Sequence, residues 1–177
     1  MNTQDAGHLE AAVAALAADE FVTAGDEYTR AGWQVLADPR PEVDTFELGD
    51  RGWVGSGLAH LVVAAVCYRV AGADARATRR AIAGVAEATE LASVTDHPAQ
   101  RACLLELVGD FRAAGGLDGA SDAYDDAGDA YRAAGDTVEE PQARATTPLF
   151  QAAATPLTQV ARGLANGEIA VEWGDLH

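Results

Sequence analysis

The residues whose types could do chemistry are few and scattered. Histidine occurs only at His8, His60, His97 and His177. His60 has Ser56 one turn before it and Cys67 two turns after it, so a helix would carry all three on one face. Nucleophilic or metal-assisted chemistry there would need further ligands, or an acid orienting the imidazole, and none stands in register. The chain has no CxxC, HExxH or GxxxxGK[ST], and Gly55-Ser56-Gly57 lacks the strand and helix pattern of a nucleophile elbow. No catalytic residue, metal ligand or cofactor is therefore assigned. A small helical enzyme or ligand-binding bundle using His60 and the glycine-rich connection before it stands as the alternative reading.

Three cations form a better candidate. Arg76, Arg79 and Arg80 fall in the first turns of a helix, where the helix dipole opposes positive charge, and two of their three spacings place them on one face. Such a group could hold an acidic peptide or its carboxylate terminus, with Trp53 as an interfacial aromatic. The competing use of these arginines is ion pairing within so acidic a chain. The run Asp118, Asp122, Asp125, Asp126 and Asp129 lacks the alternating ligands and closing glutamate of a calcium loop and reads as a solvated helix face.

Helices must position these groups. Leu9, Val13 and Leu16 recur at helical spacing, and Asp19 stands as an N-cap before a second helix whose apolar face is Phe21, Ala24, Tyr28 and Ala31, closed by Gly32. Residues 37–57 hold Pro39, Pro41, Gly49, Gly52, Gly55 and Gly57 and read as a long connection, with a short strand at 43–48. A third helix is expected over 58–71, a fourth from Asp74 to Leu91, and a fifth opening at Asp96-His97-Pro98, where proline costs nothing because its N–H has no helical partner. Thr147-Pro148 and Thr155-Pro156 each resemble a helix start, and 168–173 alternates polar and apolar as a half-buried strand does. That strand needs a partner; 43–48 is the internal candidate, and pairing with another chain is the runner-up.

The organisation is repetitive. Residues 19–32, DEFVTAGDEYTRAG, return as 122–135, DAYDDAGDAYRAAG, with seven of fourteen positions identical. An aromatic followed by Ala and Gly three and four residues later recurs at Tyr28, Tyr68, Phe111, Tyr124 and Tyr131. This places a large knob beside a flat patch on one helix face, and a terminal Gly32, Gly72 or Gly135 could take the left-handed C′ conformation. Repetition of one supersecondary unit is the mark of stacked-helix architectures.

The phrase A-S-D-A-Y-D-D-A-G-D-A-Y-R-A-A-G-D over 120–136 resembles tetratricopeptide-type helical repeats, particularly those of soluble NSF-attachment proteins. The likeness covers the two copies well and 58–72 and 101–115 weakly; it departs in spacing, in an incomplete small-large signature and in the interruption at 37–57. The resemblance implies an all-α chain of antiparallel helical hairpins in a tetratricopeptide-like array or bundle, to which the two short strands add a β accessory. It also implies protein–protein recognition. The expected division is one domain over 1–177: a first helical pair (1–36), the connection (37–57), central pairs (58–136) and a C-terminal part (137–177).

Charge narrows the partners. The chain of 177 residues carries 28 acids against 12 bases, net −16, and every base is arginine. That balance suits a halophilic cytoplasm, where molar salt shortens the Debye length to about 3 Å. It disfavours nucleic acid and anionic membranes, which are bound through Lys and Arg. The most apolar run, 58–72, is shorter than a bilayer span and contains His60 and Arg69, and the first twenty residues have no signal-peptide pattern. The partner expected is a protein or acidic peptide, with self-association as a further option, in the cytoplasm. Cys67 and Cys103 read as buried free thiols.

Overall fold

The computed structural model describes residues 3–38, Thr45 and residues 52–145. Over these the protein is all-α. Six long helices follow one another: α1 (Thr3–Ala17), α2 (Phe21–Ala37), α3 (Gly52–Val70), α4 (Asp74–Val94), α5 (Pro98–Gly115) and α6 (Ala120–Ala134). The two expected strands lie outside the described residues apart from Thr45, and no strand occurs among those described.

Each helix packs on the next in sequence, and α3 also touches α5. The paired residues fix direction. Gly25 of α2 meets Tyr68 of α3 while Gly32 meets Leu61, so α2 and α3 run oppositely. Gly84 meets Phe111 and Gly115 meets Ala81, which reverses α5 relative to α4; Gly109 meets Tyr124 while Glu106 meets Tyr131, which reverses α6 relative to α5.

The odd-numbered helices end alike. Asp19, Gly72 and Gly116 take positive φ (59°, 69° and 65°). The next amide then reaches back along the helix: Glu20 to the Ala15 carbonyl (2.9 Å), Ala73 to Tyr68 (2.8 Å) and Leu117 to Arg112 (2.8 Å). This is the left-handed helix stop with its six-to-one bond, which satisfies carbonyls the helix leaves unpaired. Asp19 is thus a helix terminator rather than the N-cap expected of it; that position belongs to Glu20, whose side chain makes no cap bond. Gly72 behaves as anticipated. Gly135 does not, keeping right-handed angles (φ −59°).

Two other boundaries differ from the sequence reading. α2 continues through Gly32 to Ala37, because Gly32 serves as a contact rather than a stop: a Cβ there would lie 2.7 Å from Leu61 Cδ2 and 2.9 Å from the Gly57 carbonyl oxygen. α3 begins at Gly52, inside the segment read as connection, and Gly57 is one of its packing residues, facing Leu36.

The earlier start makes α3 long and apolar enough to cross a membrane, over Trp53–Val70. Leu58, Leu61, Ala64, Ala65 and Cys67 are fully enclosed by the protein. Of that stretch 56% is buried inside the fold, as in the core helix of a folded domain. Around it, one apolar cluster joins Leu16, Tyr28, Val63 and Cys67, and a second joins Leu58, Leu61, Leu104, Leu107 and Phe111. A third, smaller cluster sets Ala102 and Cys103 against Tyr131 and Ala145.

Candidate functional site

The three arginines do not form one outward-facing group. Arg76 of α4 donates from Nη1 to both carboxylate oxygens of Asp26 on α2 (3.0 and 3.2 Å), and its guanidinium lies 5.6 Å from the centre of the Tyr68 ring. Arg80, one turn on, lies 5.6 Å from the Trp33 ring, and its Nε is buried without a hydrogen-bond partner. Burial lowers the Arg80 pKa, an effect opposed by Tyr68 and Asp26. Arg79 points to solvent. Arg76 and Arg80 therefore clamp the start of α4 onto α2 and α3, using the cation–π attraction and ion pairing that a planar guanidinium combines. Trp53 is half-buried on the second cluster at the opposite end of α3 from Tyr68. Fifteen residues of helix separate them, about 22 Å.

His60 packs its ring 6.1 Å from that of Tyr28, inclined at 36°. Cys67 is wholly enclosed, and desolvation pushes its thiol up to about 12, so it stays protonated and is no nucleophile at neutral pH. Cys67 and Cys103 are thiols not joined in a disulfide and lie in different clusters, Cys103 donating to the Ala145 carbonyl at 3.7 Å. Among the described residues no three His, Cys, Asp or Glu side chains converge as metal ligands.

What the structure assembles instead is a repeated aromatic dock. The ring edge of Tyr68 covers Gly25, where a Cβ would stand 2.8 Å from Cε1, and its hydroxyl donates to Asp26 Oδ1 (2.6 Å). The same ring atoms of Tyr124 cover Gly109, with a hypothetical Cβ 2.6 Å from Cε1, and the hydroxyl donates to Asp110 Oδ1 (2.9 Å). Phe111 presents that edge to Gly84, and the residue after Gly84 is Val85. In each case glycine on one helix receives an aromatic from the helix that packs next on it. Asp follows glycine where the ring carries a hydroxyl; Val follows where it does not. The chemistry explains the pairing: the phenol of Tyr68 is buried and needs an acceptor, that of the exposed Tyr124 gains one, and an unpaired carboxylate beside phenylalanine would be costly.

No protein-family model, curated protein or solved structure matches the chain.

Sequence reading found the aromatics of this dock but misplaced their partners. It set each ring beside the Ala and Gly of its own helix; the receiving glycines are Gly25, Gly84 and Gly109 of the preceding helix. The available signal was the residue after each glycine, Asp26, Val85 and Asp110.

α6 carries a fourth such step, Gly128-Asp129, at the place in the second copy that Gly25-Asp26 holds in the first. Among the described residues nothing lies within 4 Å of a Cβ built on Gly128. Gly135, the counterpart of Gly32, has only the carbonyls of its own last turn near it. Among the six long helices α6 packs on α5 alone, and Val138 and Ala145 join its Ala130 and Tyr131 in the third cluster. Gly128 opens instead onto a groove of about 670 Å³, walled by Glu106, Tyr124, Tyr131, Glu140 and Pro141.

Electrostatics along this edge are unusual for a surface. Asp110 has its pKa raised to about 6, chiefly by desolvation, with Glu106 adding to the rise and the Tyr124 hydroxyl opposing it. Glu106 accepts from the Tyr131 hydroxyl at 2.8 Å. Asp129 is exposed and pairs with Arg132 one turn on.

Proposed function

We propose that the protein is a non-catalytic interaction or assembly module of a halophilic cytoplasm, arranged as a tetratricopeptide-like array of antiparallel hairpins, and that it binds a further helix along α6. The observation that carries this reading is the contrast between the copies: Gly25 and Gly32 are covered by Tyr68 and Leu61, while among the described residues no side chain covers Gly128 or Gly135. A helix face with flat glycine positions at seven-residue spacing accepts another helix closely. Exposed Arg79 offers a separate contact for an acidic segment of the partner, whereas Arg76 and Arg80 are occupied in holding α4.

The test is a comparison of complexes captured from high-salt lysate by wild type, Gly128→Leu and Arg79→Ala. Leucine at 128 fills the groove without touching the core, so loss of a specific complex in that variant supports the reading; an unchanged set of complexes in both variants overturns it. The halophilic part has its own check. With net charge −16, helical circular dichroism should fall as salt is lowered from molar to about 0.1 M. A signal indifferent to salt contradicts it.

A further inference from the structure

Resting on the reading that α6 accepts a helix, we infer that its occupant is a tyrosine-bearing helix of a different protein, seated with its ring on Gly128 and its hydroxyl on Asp129. The dock discriminates by the residue after glycine. Gly25-Asp26 and Gly109-Asp110 take tyrosine, and Gly84-Val85 takes phenylalanine, in each case through the same ring edge. Gly128-Asp129 belongs to the tyrosine class by sequence and is continuous with the α5–α6 interface, since Tyr124 and Tyr131 wall the same groove.

The chain itself has no tyrosine to spare. Its four are Tyr28, Tyr68, Tyr124 and Tyr131. Tyr28 and Tyr68 are buried, Tyr131 is buried with its hydroxyl on Glu106, and Tyr124 is seated on Gly109. A second copy could supply one only by unpacking its core or by lifting the 40% exposed Tyr124 off Gly109 and Asp110. Residues 146–177 contain Phe150 and Trp173 and no phenol.

Register adds a second requirement. Tyr68 is preceded seven residues earlier by Leu61, which sits on Gly32. The occupant therefore carries a large aliphatic residue seven positions before its tyrosine, set over Gly135. Glu106 and Glu140 line the groove together with Arg132, which pairs with Asp129, so the lining keeps one net negative charge and the remaining positions of that helix favour an arginine or lysine.

The experiment is an array of synthetic helical peptides, with leucine fixed at the first anchor, tyrosine, phenylalanine or tryptophan at the second, and basic or neutral flanks, probed in molar KCl with the full chain. Wild type should prefer tyrosine over phenylalanine about tenfold, the effect of a hydrogen bond to a charged acceptor. Asp129→Val, which recreates the Gly84-Val85 step, should reverse the preference, and Gly128→Leu should abolish binding; circular dichroism confirms that both variants are folded. Binding with no tyrosine preference, unchanged in Asp129→Val, overturns the inference and leaves helix docking intact. No peptide retained by wild type above Gly128→Leu overturns both. Binding that appears only after removal of residues 146–177 assigns the groove to the chain's own C-terminal segment and also overturns the inference.

Discussion

Tyr124 lies with its ring edge on Gly109, so close that a single methyl group at that position would stand 2.6 Å from the ring. The same fit recurs for Tyr68 on Gly25 and for Phe111 on Gly84. Glycine weakens a helix by roughly 1 kcal/mol relative to alanine, so its use at these places reflects the approach of the next helix.

Alanine at Gly25, Gly84 or Gly109 should destabilise the protein by about 1–3 kcal/mol through overpacking. At Gly128, where nothing is close, alanine should stabilise by about 0.5–1 kcal/mol. Urea unfolding at fixed molar salt measures both. A loss of stability at Gly128 comparable to that at Gly84 would contradict the assignment of an open dock.

Asp110 predicts a definite pH dependence. Its carboxyl loses its proton near pH 6 in the folded protein and near 3.8 otherwise. The folded state thus binds more protons between those values, and the contribution to stability is greatest below about pH 4 and is lost as pH rises through 6. Asp110 is only half-buried, so the swing should be about 1–2 kcal/mol rather than the full value of a two-unit shift. Asp110→Asn keeps an acceptor for Tyr124 and should flatten the wild-type slope of urea midpoint over pH 4–6. A slope equal to that of wild type would contradict the burial argument.

The arginines separate by role. Arg76→Ala and Arg80→Ala should each cost about 0.5–1.5 kcal/mol, because each removes a cation held over an aromatic ring and, for Arg76, the pair with Asp26. Arg79→Ala should lie within about 0.5 kcal/mol of wild type, as for an exposed position. Thermal unfolding of the three variants checks this. Equal destabilisation by Arg79→Ala would require a structural contact for that side chain.

Much of the helical layout was legible in the sequence, for identifiable reasons. Apolar spacing, caps and the repeat located the six long helices and Pro98 marked the start of α5, while the short helix over 141–145 was not anticipated. Boundaries failed where glycine had two meanings. At Gly72 it permits a left-handed turn, but at Gly32 and Gly57 it permits contact, and one sequence letter does not distinguish them. Asp19 shows the converse, an aspartate doing the work expected of glycine. The arginines were visible as a cluster, yet Asp26 and Trp33 are remote in sequence and Tyr68 lies on the preceding helix, so their occupation could be seen only once α2, α3 and α4 were placed. The docks were half visible: the recurring aromatics stood out, whereas the receiving glycine depends on helix direction and register.

The most direct test of the docking rule uses an interface already formed. A double-mutant cycle would combine Asp110→Val with Tyr124→Phe, which converts the Gly109 dock to the Gly84 type. Tyr124→Phe leaves the half-buried Asp110 without its donor and Asp110→Val leaves the Tyr124 hydroxyl to water, while the double change removes both. The unfolding free energies in molar salt should show the double variant more stable than the sum of the single losses, by about 1 kcal/mol or more. Simple additivity would contradict the rule that the residue after glycine selects the ring.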